Sequence, residues 1–387
     1  MNPRLGKLQT YPFERLRELL AGVAPNPALR PIDLSIGEPK HPTPALVRDA
    51  LAASLDGLSV YPRTAGLPEL RQAIAAWARR RYALGSLDAE TQVIPVNGSR
   101  EALFSFAQAI VSPGEQARVV CPNPFYQIYE GAALLAGAAP AFLNDGMPFD
   151  AIDWTGVQLA YACSPGNPTG RVMPLEQWRE LFALADRHGF VIASDECYSE
   201  IYCDEANPPL GALEAAWRLG RRDFRGLVVF SSLSKRSNAP GMRSGFVAGD
   251  AELLKPYLLY RTYHGSAMSH AVQRASIAAW NDEAHVRENR RLYAAKFAAV
   301  LPLVQERLKT ERPAGGFYLW VRTPIDDAEF ARALQRDYNV LVLPGSYLAR
   351  EAHGGNPGRN HVRVALVAPL GDCVEAAQRM TQFARTL

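Results

Sequence analysis

From residue 92 to residue 249 the sequence repeats one unit: a short apolar run, a turn rich in Gly, Pro or Asn, and a helical segment. The runs are Gln92 to Val96, Arg118 to Cys121, Val157 to Cys163, Phe190 to Ser194, Leu227 to Phe230 and Gly245 to Gly249. Short apolar runs bounded by turn residues read as strands buried on both faces. Strands that alternate with helices leave few solutions. The α/β answer is a mostly parallel sheet with helices on both of its faces. Ligands of such sheets bind outside the carboxyl ends of the strands. Ser99, Asn167, Asp195 and Lys235 all fall at such ends, so one crevice can collect them.

The flanks read differently. Residues 1–12 are a polar arm, and Phe13 to Val23 has helical spacing until Pro25, Pro27 and Pro31 end it. Ile32 to Ile36 is strand-like and stops at Gly37-Glu38-Pro39. Pro44 opens a helix through Leu55 and Pro68 another through Tyr82, with the loop Tyr61 to Leu67 between them. After about residue 285 the texture changes. A charged amphipathic helix, Asp282 to Leu308, precedes the strands Phe317 to Val321, Val340 to Leu343 and Val362 to Val367. A helix between the first two of these starts near Asp326. A chain of 387 residues exceeds what one core fills. The expected division is an N-terminal arm and helix at 1–31 that joins the smaller lobe, a large α/β domain at 32–284, and a small α+β domain at 285–387.

Several function classes drop out. A net charge of +3 without blocks of like charge argues against nucleic acid and membrane partners. The five cysteines contain no C-x-x-C pair, which fits reduced thiols in the cytoplasm. The seven histidines show no metal-ligand spacing, so no metal is expected. The N-terminus has no apolar signal region, and no apolar run reaches membrane-span length.

The strand ends carry the chemistry. Lys235 lies in SSLSKRSNAPGMRSG, directly after the buried run Leu227 to Phe230. Desolvation there lowers an amine's pKa and makes it a nucleophile. Ser232, Ser234 and Arg243 can hold a phosphate beside it. An amine nucleophile next to a phosphate cup suggests pyridoxal 5′-phosphate; a surface lysine in a polar loop is the bland alternative. Ser99 and Arg100 open a helix whose unpaired N–H groups attract anions, although Ser99 alone reads as an ordinary N-cap. Asp195 closes a buried strand and needs a cationic partner, either a protonated ring nitrogen or a structural arginine. Tyr198 is three residues on. Asn167 sits in the rigid turn SPGNPTG, where local turn chemistry also explains it. Tyr126 can stack on a ring or fill a core. Arg363 is a charged residue inside a strand, opposite in facing to Val362 and Val364, and suited to a carboxylate if it faces a cleft.

In combination these segments are specific. SIGEP, YPRTAG, NGSREAL, NPFYQIY, SPGNPTG, SDECYSEIY, SLSKRSNAPGMRSG and HVRVAL occur in one order. Across nearly the whole chain they resemble the fold-type I, pyridoxal-phosphate-dependent aminotransferases of classes I and II. The resemblance implies that Lys235 attaches the cofactor and shuttles the proton, and that Asp195 pairs with the pyridine nitrogen. It implies that Asn167 and Tyr198 bond the ring hydroxyl and that Tyr126 stacks on the ring. Ser99, Arg100, Ser232 and Arg243 would hold the phosphate. Arg363 would bind the substrate α-carboxylate, with Gly37 lining that site. Tyr61 matches a tyrosine that reaches the phosphate of a neighbouring subunit, so a homodimer is implied. The stretches YRTYHGSAMSHAVQRASIAAWNDEAHVREN and LPGSYLAREAHGGNPGRNHVRVALV look most similar to family members that act on succinylated diaminopimelate precursors in bacterial lysine synthesis.

That likeness implies small amino and keto acids as partners, with glutamate as donor and N-succinyl-2-amino-6-ketopimelate as acceptor. Lys40, Arg261 and Arg359 are candidates to meet the acceptor's extra carboxylates. The alternatives are a transaminase specific for aspartate, alanine or N-acetylornithine, and a C–S lyase on the same fold. A DNA-binding regulator is disfavoured by the absence of a basic recognition helix.

Overall fold

The computed structural model describes residues 1–387. Its strands in chain order are β1 (Ile32–Asp33), β2 (Val93–Val96), β3 (Arg118–Asn123), β4 (Ala139–Asn144), β5 (Val157–Cys163) and β6 (Val191–Asp195). They continue with β7 (Leu227–Ser232), β8 (Gly245–Gly249), β9 (Tyr318–Arg322), β10 (Val340–Leu341), β11 (Leu343–Pro344) and β12 (His361–Ala365). A seven-stranded sheet runs in the order β2-β8-β7-β6-β5-β3-β4. Its neighbours are parallel except at β8, which runs against both β2 and β7. This is the α/β architecture expected, with a smaller α+β part.

Alternation along β7 shows why the runs had to be continuously apolar. Leu227 and Val229 point into one core, with helices Pro68–Arg81, Leu175–His188 and His270–Asn281. Val228 and Phe230 point into the other, with helices Ser99–Ile110, Ile128–Ala136 and Ala251–His264. Burial on both faces removes every solvent-facing position.

A third core joins Ile32 and Leu34 to the helices Ala284–Gln305 and Leu370–Ala384 and to β9 and β12. Here the structure departs from the single strand expected at Val340 to Leu343. β10 pairs in parallel with β1, whereas β11 pairs with β12. Val342 lies between them, fully buried, where the chain passes from one sheet to another. The lysine segment, expected as a loop, forms a short helix, Leu233–Arg236, stacked directly on the end of β7. No helix is long and apolar enough to cross a membrane.

One aromatic junction holds the first core to the lysine turn. Trp280 packs against Trp77 and Phe246, with ring centroids 4.7 and 5.3 Å away. The buried Arg236 guanidinium lies 4.8 Å from the Trp280 ring and donates to Ala279 O at 2.7 Å. Trp280→Ala is expected to cost about 3–5 kcal/mol, the scale for deleting a buried indole. The check is the urea midpoint at unchanged m value; a loss under about 1 kcal/mol would show that the junction collapses without penalty.

Candidate active site

The cleft forms where the strand ends of the seven-stranded sheet meet β9, β12 and the N-terminal segment. It encloses about 1570 Å³, open to solvent, and every residue expected at the cofactor and α-carboxylate, except Tyr61, lines it. Tyr61 lies outside it, 98% exposed. Tyr11, Phe13, Glu38, Cys197 and Tyr318 line it as well.

Lys235 points its Nζ at the carbonyl of Gly37, 2.6 Å away, and over the Phe317 ring at 5.5 Å. Burial pulls its pKa down to about 8, and the positive Arg363 and Arg100 act in the same direction. Gly37 is required at this point by the Tyr318 side chain, because a Cβ there would fall 1.8 Å from the Tyr318 hydroxyl.

Asp195 is buried and accepts from the Tyr129 hydroxyl at 2.6 Å and the Cys197 N–H at 3.2 Å. Both donors are neutral. Burial pushes the Asp195 carboxyl above its usual range. A carboxylate desolvated without a bonded cation fits a protonated ring nitrogen as its missing partner.

Two positive groups face each other nearby. Gly98, at φ 82°, precedes the helix Ser99–Ile110, whose first N–H groups have no intrahelical partners. The Arg243 guanidinium lies across this helix end, and a Cβ on Gly98 would come within 2.4 Å of its Nη2. Arg243 donates only to the carbonyl of Pro240, at 3.0 Å. Ser232 and Ser234 complete the cup. A guanidinium against a positive helix end is unfavourable unless an anion sits between them, so the donor set fits a phosphate. Beside it the Arg100 side chain bonds the Tyr126 hydroxyl.

On the opposite wall, Arg363 is 4% exposed rather than turned to solvent. It donates to Asn167 Oδ1 at 3.0 Å and Ser35 O at 2.7 Å, and its Nε has no partner. With its oxygen engaged, Asn167 keeps its NH₂ to donate into the cleft. The Tyr198 and Tyr318 hydroxyls are 2.9 Å apart. Arg363 therefore holds a full charge among neutral partners, ready for a carboxylate.

The three candidates for extra carboxylates fare differently. Arg261 is fully buried and bonds both oxygens of Glu101, at 3.0 and 2.9 Å, so it is a structural pair and leaves the set. Arg359 pairs with Glu351 at 2.6 Å on the surface and lines a separate polar hollow beside Arg15 and Arg350. Lys40 is exposed and paired at 3.1 Å with Glu38, which lines the cleft. Of the residues that sequence reasoning missed, Tyr129 had a readable signal, since it follows Tyr126 by one helical turn. Tyr318 and Cys197 had none, because their places come from tertiary approach.

Lys235 should behave as a depressed amine even before any cofactor binds. Its rate of modification by an amine reagent in the cofactor-free protein should rise with pH to a midpoint of about 8. A midpoint at the ordinary lysine value of 10.5, read by peptide mapping, would contradict the burial argument.

Comparison with known proteins agrees with this arrangement. The family model for aminotransferases of class I and II matches residues 30–379. A crystal structure of an aminotransferase from Neisseria meningitidis Z2491 superimposes with a TM-score of 0.96 at 53% identity, covering 100% of both chains. A probable N-succinyldiaminopimelate aminotransferase from Thermus thermophilus gives a TM-score of 0.83 at 27% identity, covering 96% of this chain and 99% of that one. The LL-diaminopimelate aminotransferase of Maridesulfovibrio salexigens is 32% identical over 98% of each sequence. The chain belongs to the class I and II aminotransferases, a family that works with pyridoxal 5′-phosphate.

Proposed function

We propose that this aminotransferase passes the amino group of glutamate to N-succinyl-2-amino-6-ketopimelate, a step toward diaminopimelate and lysine. The observation that carries the chemistry is the trio on one cleft wall: an amine near pKa 8, a buried acid without a charged partner, and an anion cup. Bound pyridoxal 5′-phosphate supplies a positive ring that takes up the electrons released when the substrate's Cα–H bond breaks.

The chain does the rest. Lys235 would hold the cofactor, and as a free amine it would carry the proton to and from the substrate Cα. Asp195 would keep the ring nitrogen protonated, Asn167 and Tyr198 would donate to the ring oxygen, and Tyr126 would stack on the ring. Ser99, Arg100, Ser232 and Arg243 hold the phosphate. Arg363 fixes the α-carboxylate beside Gly37.

The substrate assignment draws support from two relatives, one named for N-succinyldiaminopimelate and one for LL-diaminopimelate. Charge balance agrees, because Arg100, Lys235, Arg243 and Arg363 outnumber Asp195 and Glu38 among the cleft's ionisable side chains. Of the candidates for the distal carboxylates, Lys40 stands nearest in sequence to the cleft residues Gly37 and Glu38. We assign a homodimer with composite sites, in which Tyr61 reaches the partner's phosphate. The exposed side chains Leu55, Leu58, Val60 and Tyr61, with Leu259 and Tyr263, support it. The division into a cofactor domain at 32–284 and a smaller domain at 285–387 belongs to the same proposal, with β1 at the start of the larger range packed on the smaller domain.

The test is a panel of acceptors with glutamate as donor. The succinylated keto acid should give the highest kcat/KM, ahead of the keto acids of LL-diaminopimelate, N-acetylornithine, aspartate and alanine. A higher value for any of these would reassign the substrate, and release of pyruvate and ammonia from cystathionine would mark a lyase. Asp195→Asn should fold normally and lose about 10²–10³-fold in kcat, the scale for removing one electrostatic stabiliser of a transition state. A variant with near wild-type kcat would make Asp195 structural.

A further inference from the structure

The helix Ala284–Gln305 turns His285, Asn289 and Tyr293 toward the lysine turn and its surroundings, where they meet Ser237, the Lys235 carbonyl and the Phe317 ring. Asn289 is 2% exposed, and its amide bonds on every side. Its Nδ2 donates to the carbonyls of Lys235 at 3.1 Å and Arg236 at 3.4 Å. Its Oδ1 accepts from Asn238 Nδ2 at 3.0 Å and faces His41 Nδ1 at 2.9 Å. The helix Leu233–Arg236 has only four residues, so its last carbonyls lack backbone partners of their own. Asn289 supplies those partners from a different part of the fold.

The link through His41 reaches further. His41 packs on the Tyr293 ring at 4.6 Å, and Tyr293 stacks on Phe317 at 5.4 Å, beneath the Lys235 amine. The segment leading to His41 also supplies the two carbonyls that orient the charged groups of the cleft. Ser35 O holds Arg363, and Gly37 O holds Lys235 Nζ.

We infer that Asn289 is a positioning residue for Lys235. It fixes the backbone of the lysine turn and, through His41, ties that turn to residues 35–41, which orient the amine and Arg363. This rests on the reading of Lys235 as the residue that holds the cofactor. Two donors and two acceptor contacts are in use, so only an amide of this length serves. An aspartate would face both carbonyls with oxygen.

The experiment uses Asn289→Ala, the isosteric Asn289→Asp, and His41→Ala. Both Asn289 variants should lower kcat by about tenfold or more, with KM for glutamate within about threefold. In the cofactor-free protein, the rate at which trinitrobenzenesulfonate modifies Lys235 should change by about threefold or more. His41→Ala should lower kcat by less than the Asn289 variants and in addition raise KM for glutamate by about threefold or more, because it loosens both Gly37 under the Lys235 amine and Ser35 under Arg363. The inference is overturned if a folded Asn289 variant keeps kcat within about twofold of wild type. It is also overturned if Asn289 and His41 variants give the same proportional losses in kcat and KM together with a lowered Tm, as a purely structural role would. If Asn289→Ala does not fold, Asn289→Asp decides. Failure of the underlying reading shows separately, as borohydride labelling of a residue other than Lys235 in the wild-type enzyme.

Discussion

Desolvation of one amine is the constraint on which the rest of the structure depends. Lys235 follows a strand buried on both faces, so the low-dielectric interior of the sheet extends almost to its Nζ. Charge is costly there, which is why burial brings the amine down to about 8. The neighbours fit that cost. The direct contact is a backbone carbonyl rather than a carboxylate, whereas an ion pair would have stabilised the charged form and offset the shift. The carboxylate the site needs, Asp195, ends the adjacent strand and is bonded by a tyrosine and a backbone N–H.

A second feature follows from placing a helix start at the same edge. The helix Ser99–Ile110 points its N-terminus at the strand ends, so this part of the crevice is positive before any side chain is counted. Arg100, Arg243 and Arg363 add to that field without a carboxylate partner among their hydrogen bonds. Two arginines that the protein neutralises internally do not line the cleft. Arg261 is locked to Glu101, and Arg236 to Glu283. The contrast between paired and unpaired arginines marks out the part of the interior kept for anions.

Much of this was legible in the chain, and the failures have physical causes. The central strands are readable because burial on both faces forces continuous apolar runs. β4 was missed because it is the sheet's edge strand, only partly buried, and Ala139-Pro140-Ala141 carries little β signal. The helix Ala251–His264 was missed because its buried stripe is Leu254, Tyr257 and Arg261, with Pro256 inside, so apolar periodicity is broken by a buried ion pair. The same pair misled the reading of Arg261, whose partner Glu101 is 160 residues away. Most of the cleft lining was legible because its motifs are local to strand ends. Tyr318 and Asn289 were not, since each acts through contacts with residues remote in the sequence.

The parallel pairing of Ile32 with Val340 has a consequence for the order in which the molecule assembles. The short β1 strand has no other strand partner, and Leu34 also bonds through Leu341 and Ala365. Residues 35 to 37, which follow directly, therefore cannot be held in place until the last strands exist. During synthesis the seven-stranded sheet can form first, with the lysine turn already on it. The segment that orients Lys235 and Arg363 docks only when the far end of the chain has emerged, after closure of a very long loop. A nascent or C-terminally truncated chain would thus own its positive cup while having no means of aiming its amine.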